Sequence, residues 1–284
     1  MSLSKCRYKF KILNIKPMKK LSFILAAFAL TFLMASCDKI EDPLKPVTLS
    51  GSGKTVLIKD FTGVMCVNCP AAAEYAHNLQ HQLGEEHVII LGVHAGPLAV
   101  PVGQFPNFLT EEGNQWYGNH DSNPLFSVDH AELTDGNTLY VEQIDVPVSE
   151  ALLEQQTFEV NVWPSYDDEN RQLNVETDVE ALVDMDGKYY VTVCLVEDSI
   201  VGWQKVPGGL DREYVFRDVF RGTLNGADGE LFISGEVEAF DHARYEHTIE
   251  LDSTYNADQC YILAYIYDKR QDGKILQTAI QKIK

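Results

Sequence analysis

Phe61-Thr62-Gly63-Val64-Met65-Cys66-Val67-Asn68-Cys69-Pro70 sets a Cys-x-x-Cys-Pro between an apolar run and a helical pattern. The run before it, Val56-Leu57-Ile58-Lys59-Asp60-Phe61, is short, β-branched and aromatic, and predicts a buried strand. From Pro70 to Leu83, residues Ala72, Ala76, Leu79 and Leu83 recur on one helical face, and Gly84 supplies a stop. A second buried strand is expected at Val88-Ile89-Ile90-Leu91-Gly92-Val93. A cysteine at such a strand-to-helix junction meets unpaired N–H groups and the positive end of the helix dipole, which favour its thiolate. Only the thiolate attacks a disulfide, and a second thiol one turn on resolves the mixed disulfide. This spacing casts Cys66 as an exposed nucleophile and Cys69 as its resolving partner. Two blander readings compete: a closed structural disulfide, and a zinc half-site that lacks a second Cys or His pair at ligand spacing.

The chain has 284 residues and a formal net charge of −19. Met18-Lys19-Lys20, the apolar stretch Leu21 to Met34 and the small residues before Cys37 read as a secretory signal peptide over residues 1–36. The apolar stretch is too short for a permanent span. Met34-Ala35-Ser36-Cys37 resembles a bacterial lipoprotein lipobox, which implies a lipid on Cys37; a plain signal peptide cut nearby is the rival reading. Processing would remove seven basic residues and no acidic one, leaving 16 basic against 42 acidic residues, a charge of −26. Such a surface repels phosphate backbones and anionic lipid, so nucleic acid is excluded as a partner. The lipid, not a basic patch, would hold the protein at a membrane. Residues 37–53, acidic and then rich in Pro, Gly and Ser, read as a lipidated tether.

Residues 54–156 carry a mixed strand and helix pattern, interrupted near 96–122 by a Pro- and Gly-rich insertion with a helical piece around Asn107 to Tyr117. Asn123-Pro124 turns into a short strand, and Ser149 to Gln155 reads as a helix. From Thr157 the pattern is strand alternation, as in Phe158, Val160 and Val162 or Leu173, Val175, Thr177 and Val179. Asp186-Gly187 and Asp272-Gly273 are expected hairpin turns, so residues 157–284 predict an antiparallel β-sandwich. Cys194 and Cys260 each fall in a strand. A structural bridge between them is one reading, and two buried free thiols the other.

Asp60 stands six positions before Cys66, and Pro124 opens the later strand. These residues, with the Cys-x-x-Cys, resemble the thioredoxin superfamily. That resemblance implies an α/β thioredoxin-like domain, here followed by an all-β antiparallel sandwich domain. It also implies that Asp60 exchanges a proton with Cys69 and that Pro124 is a cis-proline that docks a partner chain. A second resemblance covers nearly the whole chain. Thr62-Gly63-Val64-Met65-Cys66-Val67-Asn68-Cys69-Pro70, and more loosely Cys194-Leu195-Val196-Glu197-Asp198, are similar to lipoproteins of the twenty-eight-kilodalton outer-membrane protein family. It implies an outer-membrane or surface lipoprotein with no established reaction. Two functions follow. One is extracytoplasmic thiol–disulfide exchange or electron relay with protein thiols, disulfides or a reductase, needing no dissociable cofactor and no metal. The other is surface binding or adhesion on a non-catalytic scaffold.

Overall fold

The computed structural model describes residues 53–284; the expected signal peptide, Cys37 and all but the end of the tether lie outside them. The local reading around the cysteines matches the structure. Strand β1 (Val56–Thr62) is followed by helix α1 (Cys69–Leu83) and strand β2 (Val88–His94), which pairs parallel to β1 from Val56↔Val88 to Thr62↔His94. Helix α1 buries Ala72, Ala76 and Leu79 and ends at Gly84, whose φ of 102° suits a residue without Cβ. Helix α2 (Glu111–Tyr117) begins where the Thr110 hydroxyl accepts from the Gly113 N–H at 3.0 Å. Strand β3 (Leu125–Val128) then pairs antiparallel to β1. Helix α3 (Asp145–Ala151) starts earlier than its sequence pattern, because Pro147 sits in the first turn, where its missing N–H costs nothing.

Ten strands follow: β4 (Phe158–Asp167), β5 (Gln172–Ala181), β6 (Met185–Glu197), β7 (Ile200–Val206), β8 (Gly209–Phe216), β9 (Val219–Thr223), β10 (Glu230–Val237), β11 (His242–Glu250), β12 (Cys260–Asp268) and β13 (Lys274–Lys282). Here the structure corrects the expected fold class. The described residues hold thirteen strands against three short-to-medium α-helices, and no separate thioredoxin-like α/β domain stands apart from a sandwich. Strands β1, β2 and β3 belong instead to one mixed sheet of eight strands, ordered β13-β12-β6-β9-β2-β1-β3, with β10 also paired to β6. The junction is Gly92. Its N–H donates to the Asp218 carbonyl at 2.7 Å, and a Cβ there would press on the Arg217 and Asp218 carbonyls at 3.2 and 3.3 Å. A glycine on β2 therefore lets β9 close on the strand that a local reading leaves as an edge.

A three-stranded antiparallel sheet, β11-β5-β4, packs on one face of β6 and β12. Phe158, Val160, Leu173 and Val175 meet Val191, Val193, Ile262 and Ala264 there. The other face of β6 and β12 supplies Cys194, Val196, Leu263 and Tyr265 to a second cluster with Leu57, Phe61, Leu91 and Trp116. Each fully buried side chain of this size contributes about 1.5–3 kcal/mol, so these two layers hold the fold. Asp272-Gly273 is the expected turn between β12 and β13, both residues having positive φ. Asp186-Gly187 is not a turn; it lies within β6 and pairs with β10. Its glycine leaves room for Tyr189, whose ring would stand 2.2 Å from a Cβ. Among the described residues no helix is long and apolar enough to cross a membrane.

Candidate functional site

Cys66 and Cys69 form a disulfide with Cα atoms 5.4 Å apart. A turn closed by the Cys66 N–H on the Gly63 carbonyl (3.0 Å) carries Cys66, and Cys69 is the first residue of α1. The expected exposure of Cys66 is corrected by the structure: it is 1% exposed. The cause is the β7–β8 hairpin, a two-stranded sheet of its own that lies over the loop. The Gln204 side-chain amide donates to the carbonyls of Cys66 at 2.9 Å and Gly63 at 3.4 Å, and the Lys205 N–H donates to Val64 at 3.0 Å. Phe216 at the end of the hairpin packs with Val64, Phe108 and Val219.

Beside the disulfide, α1, the β1–β2 face and the end of the hairpin enclose a cleft of about 490 Å³. Strand alternation decides what faces it. Leu57, Lys59 and Phe61 turn toward the second core cluster or its ring contacts, while Asp60, Thr62, Ile90 and His94 line the cleft. Cys69 and Tyr214 line it too, whereas Cys66 does not. Asp60 is 3% exposed, its Oδ1 has no hydrogen-bond partner, and burial pushes its carboxyl up to about 8. It is therefore a neutral acid at neutral pH. His94 sits against the Phe108 and Phe216 rings, its Nδ1 likewise unpartnered, and burial lowers its imidazole to about 3. Burial and then the neighbouring Asp60 charge raise the Tyr214 phenol to about 12.

Of the residues singled out in the sequence, Asp60 and Cys69 share this cleft. The Asn123–Pro124 bond is cis. Pro124 stands at the end of β1, where the Asn123 amide donates to the Phe61 carbonyl at 2.9 Å, but it does not line the cleft. The bridge considered between Cys194 and Cys260 is overturned: both are buried free thiols. Register gives the reason. Cys194 lies opposite Leu263 and Cys260 opposite Glu197, so the two side chains point to opposite faces of the sheet, into different clusters. Burial pushes both thiols up to about 12. Gln204, Tyr214, Arg217 and His94 were not expected at the site; a polar Gln within the short strand pattern Ile200 to Val206 was the available signal.

Residues 134–284 match the family described as outer membrane protein Omp28. The chain belongs to the Omp28 family. It is accordingly a cell-envelope protein of the outer membrane. The match covers the hairpin and the Arg217 side of the cleft, while Asp60, Cys66 and Cys69 precede it. Among solved structures, HBP35 of Porphyromonas gingivalis is similar in fold, with a TM-score of 0.63 and 15% identity over 81% of this chain and 76% of that one. A domain of the outer membrane lipoprotein Omp28 from Porphyromonas gingivalis gives a TM-score of 0.32 and 21% identity over 45% of this chain and 88% of that one. No curated protein matches the chain.

Proposed function

We propose that this outer-membrane protein carries a thiol–disulfide exchange centre, with Cys66 and Cys69 as the redox pair and Asp60 as its proton store. One observation carries the reading: Asp60 is buried, lacks a partner on Oδ1 and lines the same cleft as Cys69. An unpaired buried polar group costs about 1–3 kcal/mol and stabilises nothing by itself. A structural disulfide has no use for such an acid. A disulfide that opens does, because a sulfur released into a buried site needs a proton, and an acid at about 8 gives one up near neutral pH. Asp60→Asn should slow reduction of the disulfide by dithiothreitol at pH 7 by about a hundredfold. Equal rates in the two proteins from pH 6 to pH 9 would remove the proton store and this reading with it.

The hairpin favours a second reading, in which the disulfide is a staple in a surface-binding protein, since Cys66 is fully covered. That reading expects a Cys66→Ser/Cys69→Ser protein to keep all binding and any phenotype of the native chain. For the anchor we propose a lipid on Cys37. Each buried methylene of such a lipid contributes about 0.8 kcal/mol. A Cys37→Ala protein should move to the soluble fraction after cell breakage; membrane retention after signal cleavage would exclude the lipid.

A further inference from the structure

The two sulfurs are almost equally buried, Cys66 at 1% and Cys69 at 2% exposure, but only Cys69 borders the cleft. On the Cys66 side, the hairpin amides of Gln204 and Lys205 occupy the carbonyls of Gly63, Val64 and Cys66. An incoming polypeptide would need those groups and that space. On the Cys69 side lies the cleft, whose 490 Å³ falls within the range of small-molecule sites, about 300–1,000 Å³. Its floor holds Asp60, whose Oδ1 has no hydrogen-bond partner, and the His94 ring. Its walls carry opposite charges: Glu74 on α1, and Arg217 at the end of the hairpin. A molecule with both an ammonium and a carboxylate group complements such walls, and only a small one fits between them.

We propose that Cys66–Cys69 is reduced through the cleft by a low-molecular-weight zwitterionic thiol that attacks the sulfur of Cys69. This rests on the exchange reading above and names its substrate. The thiolate of the first molecule bonds to Cys69 Sγ, the Cys66–Cys69 bond breaks, and Cys66 leaves with the electron pair and takes up the proton that the first thiol released. A second thiolate then attacks the small-molecule sulfur of the mixed disulfide. Cys69 leaves as thiolate and takes the proton of Asp60, which recovers one from the second thiol. Two small thiols become one small disulfide, and the protein disulfide becomes two thiols. The roles expected from the sequence are thereby exchanged: Cys69 is the sulfur attacked, and Cys66 is the first to leave.

The test uses cysteine and its disulfide, cystine, as probes. With the single-thiol proteins Cys66→Ser and Cys69→Ser, mixed-disulfide formation with cystine is followed by intact mass and peptide mapping. Cys69 should be modified at least tenfold faster than Cys66. With the native protein, which needs no substitution to fold, cysteine should open the disulfide faster than neutral 2-mercaptoethanol at equal thiolate concentration. It should also act faster than a protein dithiol reductase at equal thiol concentration. Faster modification of Cys66, or faster reduction by the protein dithiol, would overturn the small-thiol proposal and leave the exchange reading intact. A disulfide that no reductant opens until the protein unfolds would overturn both.

Discussion

Lys59 and Asp60 are consecutive residues of β1, both almost wholly buried, on opposite faces of one strand. The protein treats them differently. The Lys59 ammonium donates to the Ala131 carbonyl at 2.5 Å and the Tyr265 hydroxyl at 3.1 Å. It also lies 3.8 Å from the Trp116 ring centre and 4.7 Å from that of Tyr265. Asp60 has an orphan oxygen and a cleft. A polar group in a core is expensive, and the Lys59 face shows the structural answer, in which every donor finds an acceptor or a ring. The Asp60 face lacks that answer, and it is the face that carries the cysteine pair. The contrast separates burial that holds the fold from the burial on which the exchange proposal rests.

The largest expected effect is a pair of opposite pH dependences. Burial raises Asp60 from 3.8 to about 8, so between those values the folded state holds a proton that the unfolded chain has lost. Its stabilising contribution is complete below pH 3.8 and declines as pH rises toward 8, at up to about 1.4 kcal/mol per pH unit. His94, lowered to about 3, and Tyr214, raised to about 12, face Asp60 in the cleft and stay neutral throughout. Burial lowers Lys59 from 10.5 to about 7, against the opposing pull of Cys194 and Glu132. In that window the unfolded chain holds the extra proton, so the Lys59 contribution rises with pH. Urea unfolding of the native and Asp60→Asn proteins from pH 4 to pH 9 measures the first slope as their difference. A difference that does not vary with pH would remove the contrast.

Next in size is the cost of truncation. Lys59→Ala strips the Ala131 carbonyl of a partner, removes two ring contacts and leaves a void, for a loss of about 3 kcal/mol at pH 7. Asp60→Asn at the same pH exchanges a neutral acid for a neutral amide and should stay within about 1 kcal/mol. Comparable losses for the two would mean that Asp60 has structural work of its own.

What the sequence revealed follows the range of the interactions involved. The strand, Cys-x-x-Cys, helix and strand order was legible because periods of 2 and 3.6 residues are local, and Gly84 marked the stop. The cysteine pair could be picked out from its spacing at that junction, and Asp60 from the thioredoxin resemblance that its offset from Cys66 carries. The merging of β1–β3 with β6, β9 and β12 was not, because it depends on the Gly92–Asp218 contact between residues far apart in the chain. Nor was the cover over Cys66, which a hairpin distant in sequence supplies through Gln204. Asp186-Gly187 misled for a related reason: glycine serves both turns and close approaches, and only the Tyr189 ring distinguishes them. Cys194 and Cys260 needed the β6–β12 register to show that they face apart.

The smallest expected effect probes the boundary between the two sides of the disulfide. Gln204, 2% exposed, donates to Cys66 and Gly63, and also to the Lys205 carbonyl at 3.0 Å. Gln204→Ala takes this donor from the Cys66 carbonyl beneath the hairpin, while Gly63 keeps the Cys66 N–H, at a local cost of about 1 kcal/mol. The Lys205–Val64 backbone bond and the packing of Phe216 on Phe108 remain, so the hairpin stays docked and global stability changes little. The loss falls on local opening, because β7 and β8 pair only with each other. Amide exchange across residues 200–216 should quicken several-fold, a free-energy change of 1.4 kcal/mol being tenfold. Labelling of Cys66 in a Cys69→Ser background should rise by the same factor, and labelling of Cys69 in a Cys66→Ser background by less, because α1 and the β1–β2 face supply the other walls of the cleft that Gln204 also lines. If both sulfurs gained equally, one opening motion would govern both, and the distinction between the two sides of the disulfide would fail.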